Sequence, residues 1–162
     1  MLPPPQKKPD FAAQQDTPVM QEMKRQRGQA PRMEVIDILK QTVGKQGKNP
    51  IQVYNAMADL VNNDPDFRIM RANNTLFAYN NNKDGSVDFS YESADDPQSL
   101  ADSIKQFSQA MKVAGFKIGR FDVEDAGMLN AFKQSGVNMK TRPSGSVMDD
   151  GRTPALIGMV EF

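Results

Sequence analysis

The 162-residue sequence contains no cysteine, no histidine and no tryptophan. Without cysteine there is no disulfide framework, no thiolate nucleophile and no cysteine-ligated metal. Without histidine the chain lacks the commonest general base, and with it the Ser-His-Asp and Cys-His catalytic arrangements. A zinc site would have to consist of carboxylates alone, a donor set that suits zinc poorly. The sequence therefore predicts no metal site.

An excess of charge of one sign is also lacking, since 20 basic and 20 acidic residues give a net charge of zero. Phosphate backbones are bound through surplus Lys and Arg, so a dedicated nucleic-acid binder is not expected. No apolar run approaches the ~20 residues that span a bilayer, and the first residues lack the apolar segment of a secretory signal. No membrane partner is expected either. The 38% of hydrophobic residues suffices for the core of one domain.

Residues 1–31 differ in composition from the rest of the chain. They hold six of the 11 prolines, six glutamines, five basic and three acidic residues. Their apolar residues are too sparse to form a core, which predicts an extended N-terminal arm followed by a single α/β domain at 32–162. The arm could be a solvated linker, could dock on a neighbouring protein, or could touch nucleic acid through the basic stretch 23–27. The candidate partner-binding residues are Phe11, Val19, Met20, Met23, Lys24, Arg25 and Arg27.

The domain alternates helical and strand patterns in the order α-α-β-β-β-α-β-α-β-β. The clearest helix covers 97–114, where apolar residues recur at helical spacing. They are Leu100, Ile104, Phe107, Met111 and Ala114. The polar run 80–86 predicts a hairpin between two strands, and 141–154, rich in Pro, Gly and Asp, is expected to be a loop. We expect an α/β (α+β) fold with one mixed, mainly antiparallel sheet flanked by helices.

The segment 123–137 resembles part of the GNAT superfamily of N-acetyltransferases. Asp125 stands where that family often has Asn, Phe132 at its aromatic position, and Gly136-Val137 at its Gly-Phe pair. The order of elements across 67–162 is also similar: a meander, a long helix, a strand, a short helix and two closing strands. The resemblance implies a GNAT-like fold.

The family's chemistry does not follow from this resemblance. Active members hold the pyrophosphate of acetyl-CoA on a Gln/Arg-x-x-Gly-x-Gly/Ala loop at the start of the long helix. Here 91–99 contains no Gly, Arg or Lys. Asp95 and Asp96 would repel phosphate, Pro97 removes a donor N–H, and we expect both acids to cap the helix. Tyr79, Tyr91 and Glu92 are conceivable acids or bases but are read as sheet residues. No catalytic residue and no cofactor are therefore predicted, and the protein is not expected to be an enzyme.

GNAT-like domains without the cofactor loop recur among small virion proteins of short-tailed phages. The Pro/Gln-rich arm and the absence of Cys and His also resemble those phage proteins in composition. The resemblance implies a non-enzymatic assembly component of a bacteriophage virion, made in the host cytoplasm. Its arm would bind other virion proteins or copies of itself. The alternatives are a divergent acetyl-CoA-dependent N-acetyltransferase and a small phage adaptor that binds a host protein.

Overall fold

The computed structural model describes residues 32–162. Its helices are α1 (Val35–Gln41), a 3₁₀ turn (Val43–Gln46), α2 (Pro50–Asn63), α3 (Pro97–Val113) and α4 (Ala126–Ser135). Its strands are β1 (Phe67–Ala72), β2 (Thr75–Asn81), β3 (Ser86–Ser93), β4 (Ile118–Val123), β5 (Asn138–Val147) and β6 (Pro154–Glu161). No helix within 32–162 is long and apolar enough to cross a membrane.

The six strands form one sheet in the order β1-β2-β3-β4-β6-β5. Every neighbouring pair is antiparallel except β3 and β4, which run parallel. Helix α3 makes the crossover between these two parallel strands, as parallel pairing requires. The predicted fold class, a mixed and mainly antiparallel sheet flanked by helices, is confirmed.

Each face of the sheet carries its own hydrophobic core. The larger core joins α3 and α4 to the sheet and centres on the rings of Phe77, Phe107, Phe121 and Phe132. The smaller core joins α1 and α2 to the opposite face of β1 and β2. Four residues of the stripe predicted on α3 face the larger core, namely Leu100, Ile104, Phe107 and Met111, and Phe107 is only 1% exposed. The fifth, Ala114, follows the helix as its C-cap and is exposed.

The helix ends follow local signals in the sequence. Asn49 accepts hydrogen bonds from the N–H groups of Ile51 and Gln52, and Pro50 occupies the first turn of α2. Asp125 caps α4 in the same way, accepting from the Met128 N–H at 2.8 Å. Gly136 ends that helix with a φ of 77°, a left-handed conformation that glycine adopts without steric cost.

The prediction of a loop at 141–154 is wrong for residues 141–147. Strand β5 continues to Val147, with Thr141, Arg142 and Pro143 paired to β6. Pro143 is tolerated because β5 is an edge strand, where a residue without an N–H does not interrupt a ladder on both sides. Only 148–153 turn the chain. Asp150 holds that turn by accepting from the N–H groups of Arg152 and Thr153.

Candidate functional site

A cleft opens where the parallel strands β3 and β4 diverge. They pair only from Ser86–Asp88 to Ile118–Arg120. Beyond this junction, residues 89–93 keep β2 on one side, and no other strand of the described chain pairs with their second edge. The resulting cleft has a volume of about 630 Å³ and lies between the end of β3, the start of α3 and the start of α4. Ligands of open α/β sheets characteristically bind in a crevice at the carboxyl ends of the strands, and this cleft lies at the carboxyl ends of β3 and β4.

The wall of the cleft is acidic. Four carboxylates line it, and none of its described lining residues is Lys or Arg. They are Glu92, Asp95, Glu124 and Asp125. Glu92 lies near the end of β3 and Glu124 directly follows β4, so the parallel direction of the strands brings the two acids to one edge of the sheet. A cleft of this charge favours a cationic ligand.

Glu92 is a partly buried carboxylate of the cleft. It pairs in register with Leu76 and therefore shares the sheet face that α1 covers. Burial raises the pKa of Glu92, and the negative charge of Glu124 raises it further. A hydrogen bond with the Thr42 side chain and the positive charge of Lys48 act in the opposite direction. The net effect is a carboxyl group that holds its proton more tightly than an exposed glutamate does.

Tyr91 projects from the opposite face of β3 into the same cleft. Its ring lies 5.8 Å from that of Phe77 and 6.4 Å from that of Phe132, measured between centroids. Burial raises the pKa of the Tyr91 hydroxyl far above its ordinary value, and the charge of Asp125 adds to this effect. The hydroxyl therefore stays protonated and neutral at physiological pH.

Tyr79, the third acid-base candidate, lies away from the cleft. Its ring packs edge-on against those of Phe107 and Phe116, and burial raises the pKa of its hydroxyl. The structure thus places two of the three candidates, Tyr91 and Glu92, in one cavity and assigns Tyr79 to the core.

The two aspartates before α3 have different roles, whereas the sequence suggested that both cap the helix. Asp96 is the cap and accepts from the Ser99 N–H at 2.8 Å. Asp95 instead accepts from the Asn74 N–H at 3.0 Å and the Thr75 hydroxyl at 2.6 Å. Its second oxygen also lies 3.0 Å from the Ser103 hydroxyl oxygen. Asp95 therefore joins the start of α3 to the turn between β1 and β2.

This geometry does not fit the pyrophosphate of acetyl-CoA at the start of α3. A helix N-terminus binds phosphate through free N–H groups and positive charge. Here the Ser99 N–H is bound to Asp96, Pro97 has no N–H, and two carboxylates stand at the helix end. The N–H groups of Asp95 and Ser99 at this turn are already used within the protein, by Ser93 and Asp96.

Comparison with known proteins identifies the fold. No protein-family model and no curated protein matches the sequence. Among solved structures, the chain is similar to the microcin C7 self-immunity acetyltransferase MccE, crystallised with acetyl-CoA and AMP, at 9% identity and a TM-score of 0.52 over 70% of both chains. A second is the ribosomal-protein-S18-alanine N-acetyltransferase from Escherichia coli, at 10% identity and a TM-score of 0.46 over 70% of this chain and 77% of that one. The GNAT-like fold is confirmed.

The prediction of a non-enzymatic virion component is wrong in the light of this comparison. The solved structure MccE, which shares the fold, is an acetyltransferase and not a virion component. The resemblance to phage virion proteins finds no support there.

The predicted partner-binding residues all belong to the arm and lie outside the described residues. They are Phe11, Val19, Met20, Met23, Lys24, Arg25 and Arg27. Their binding of partners therefore stays a prediction. Sequence reasoning missed the grouping of Glu92 with Glu124 and Asp125. The available signal was the position of acids at the carboxyl ends of β3 and β4, whose parallel pairing would bring them together.

Proposed function

We propose that this protein is a divergent N-acetyltransferase whose cleft between β3 and β4 accepts a positively charged amine. The observation that supports this most is the cleft itself, lined by four carboxylates without a described Lys or Arg. The GNAT-like fold supports the reaction class, because its structural neighbour MccE is an acetyltransferase. The acceptor would be a primary amine that is protonated in water.

Acetyl transfer to such an amine needs a base. An ammonium ion must lose one proton before its nitrogen can attack a thioester carbonyl. A second proton leaves that nitrogen as the C–N bond forms and the C–S bond breaks, and it ends on the departing thiol. Glu92 is the candidate base for the first proton, because burial and Glu124 bring its pKa closer to neutral pH.

The neighbouring side chains support this assignment. Glu124 and Asp125 place negative charge beside the amine and so raise its local concentration. One oxygen of Asp125 is engaged with the Met128 N–H, which fixes that carboxylate at the start of α4. Tyr91 contributes a neutral hydroxyl to the same wall.

The test is acetylation of a panel of amines, including spermidine, free lysine and peptides with a basic N-terminus. The acetyl group is supplied as acetyl-CoA and, separately, as S-acetylpantetheine, and products are identified by mass spectrometry. Glu92→Gln should lower kcat by about 10²–10⁴-fold, the usual contribution of a general base. Asp59→Asn, at an exposed position of α2, is the matched control and should leave the rate unchanged. Absence of acetylated product from every amine with both donors would refute the proposal.

A further inference from the structure

We infer that the donor thioester is held by an uncharged amide-bearing arm and not by phosphate groups. A pantetheine thioester without the 3′-phospho-ADP part would then serve as well as acetyl-CoA. This inference rests on the proposed function and goes beyond it, because it specifies which part of the donor the protein recognises.

The first argument is that the start of α3 is locked. Asp95 is fixed by Asn74 and Thr75, and the Ser103 hydroxyl oxygen lies 3.1 Å from the Ala72 carbonyl oxygen. Thr75 and Ser103 are both 0% exposed. The network therefore holds the carboxylate of Asp95 beside the start of α3, where the Ser99 N–H is already bound to Asp96. A phosphate at this turn would have to displace one acid and approach the other, and moving Asp95 aside would cost its buried partners their hydrogen bonds.

The second argument is charge. Coenzyme A carries several negative charges on its phosphates, and the cleft presents four carboxylates. Lys48, the cation that acts on Glu92, is not among the residues that line the cleft. Phosphates drawn into this wall would meet repulsion that no cation among the described lining residues offsets.

The third argument is the free edge of β3. From residue 89 to 93 the strand bonds to β2 on one side and has no partner strand in the described chain on the other. Residues 91–93 of this segment line the cleft. Backbone N–H and C=O groups on such an edge pair readily with an extended chain that carries amides. A pantetheine arm offers two amides and no charge, so it matches both the edge and the acidic wall.

The test is calorimetric titration of the full chain with coenzyme A, pantetheine and 3′,5′-ADP. We expect the Kd values of coenzyme A and pantetheine to agree within about threefold and 3′,5′-ADP to show no measurable binding. Coenzyme A binding more than about thirtyfold tighter than pantetheine would overturn the inference. Binding of 3′,5′-ADP would overturn it too, as would failure of both arm-bearing compounds to bind.

A variant at the start of α3 sharpens the test. Asp96→Asn removes one charge and keeps a good helix cap. If phosphates stay away from α3, the variant should leave the ratio of the two Kd values unchanged within about twofold. A selective gain for coenzyme A would show phosphate at α3 and overturn the inference. That result would leave the proposed acetylation intact, whereas absence of acetylation with either donor would refute the function separately.

Discussion

The ring of Phe121 lies directly against the backbone of Gly158. The two residues are register partners on β4 and β6, and a Cβ atom at position 158 would stand 2.2 Å from Cζ of Phe121. Phe121 in turn stacks on Phe132 of α4, with ring centroids 4.3 Å apart and planes inclined by 8°. The missing side chain at 158 therefore sets how closely α4, one wall of the cleft, approaches the sheet.

Gly158→Ala should destabilise the domain by about 1–3 kcal/mol, since the added methyl group must displace a buried ring. The measurement is the free energy of unfolding from denaturant titration. Gly44→Ala is the control, because its nearest neighbour would be Pro50 Cγ at an ordinary 3.6 Å. Equal losses in the two variants would contradict the proposed close contact.

Phe107→Ala should cost about 3–5 kcal/mol of stability, as large truncations in a core do. The Phe107 ring stacks on that of Phe77 at 4.4 Å between centroids and also contacts the rings of Phe89 and Tyr79. Val113 lies at the end of the same helix and is 89% exposed, so Val113→Ala should change stability by less than about 0.5 kcal/mol. Denaturant titration gives the free energy of unfolding of both variants. An unchanged free energy of unfolding in Phe107→Ala would refute the packing of this ring in the core.

Asp95→Ala and Asp96→Ala should differ, although the residues are adjacent. The Asp95 variant leaves Thr75 and Ser103 without a charged partner and should lose about 2–3 kcal/mol. The Asp96 variant loses one helix cap, worth about 1 kcal/mol. Thermal unfolding followed by circular dichroism measures both. A larger loss in the Asp96 variant would reverse the roles assigned to the pair.

Glu92→Gln should raise the Tm at neutral pH while it lowers acetylation. The folded protein raises the pKa of Glu92, so folding is favoured by this group below its unfolded pKa, and that contribution is lost as pH rises through the folded pKa. A glutamine carries no charge at any pH, so the variant avoids the cost of burying the ionised carboxylate. The gain in Tm should shrink when the pH is lowered through the pKa of Glu92, because the wild-type carboxyl is then protonated. A Tm gain that is independent of pH would show that burial of the charge is not its cause.

The sequence predicts the local features of this fold well and its long-range features poorly. Caps such as Asn49 and Asp125 act on N–H groups two or three residues away, and the α3 stripe depends on one helix alone, so both can be read from short windows. The sequence predicts too short a strand β5, because Pro143 is typical of a loop. The proline is acceptable in this strand only because β5 lies at the edge of the sheet.

The candidate site was harder to predict for the same reason. Glu92 and Glu124 are separated by helix α3 in sequence, and their proximity depends on which strands run parallel. Asp95 and Asp96 look alike in sequence, and only the position of Thr75 and Ser103 separates their roles. The sequence does not show why position 158 must be glycine, because the contact with the Phe121 ring appears only in the folded sheet.

The opening between β3 and β4 is a product of backbone paths, since the strands separate after three residue pairs. Side chains line this opening, but the divergence of the two strands creates it. A chain that inherits this topology therefore inherits a cavity, whatever residues later mutations bring to its walls. MccE shares this fold at 9% identity, so the backbone paths do not depend on one particular set of side chains. The same opening can therefore carry walls of quite different charge, and here those walls hold four acids beside a turn that Asp95 fixes to Asn74.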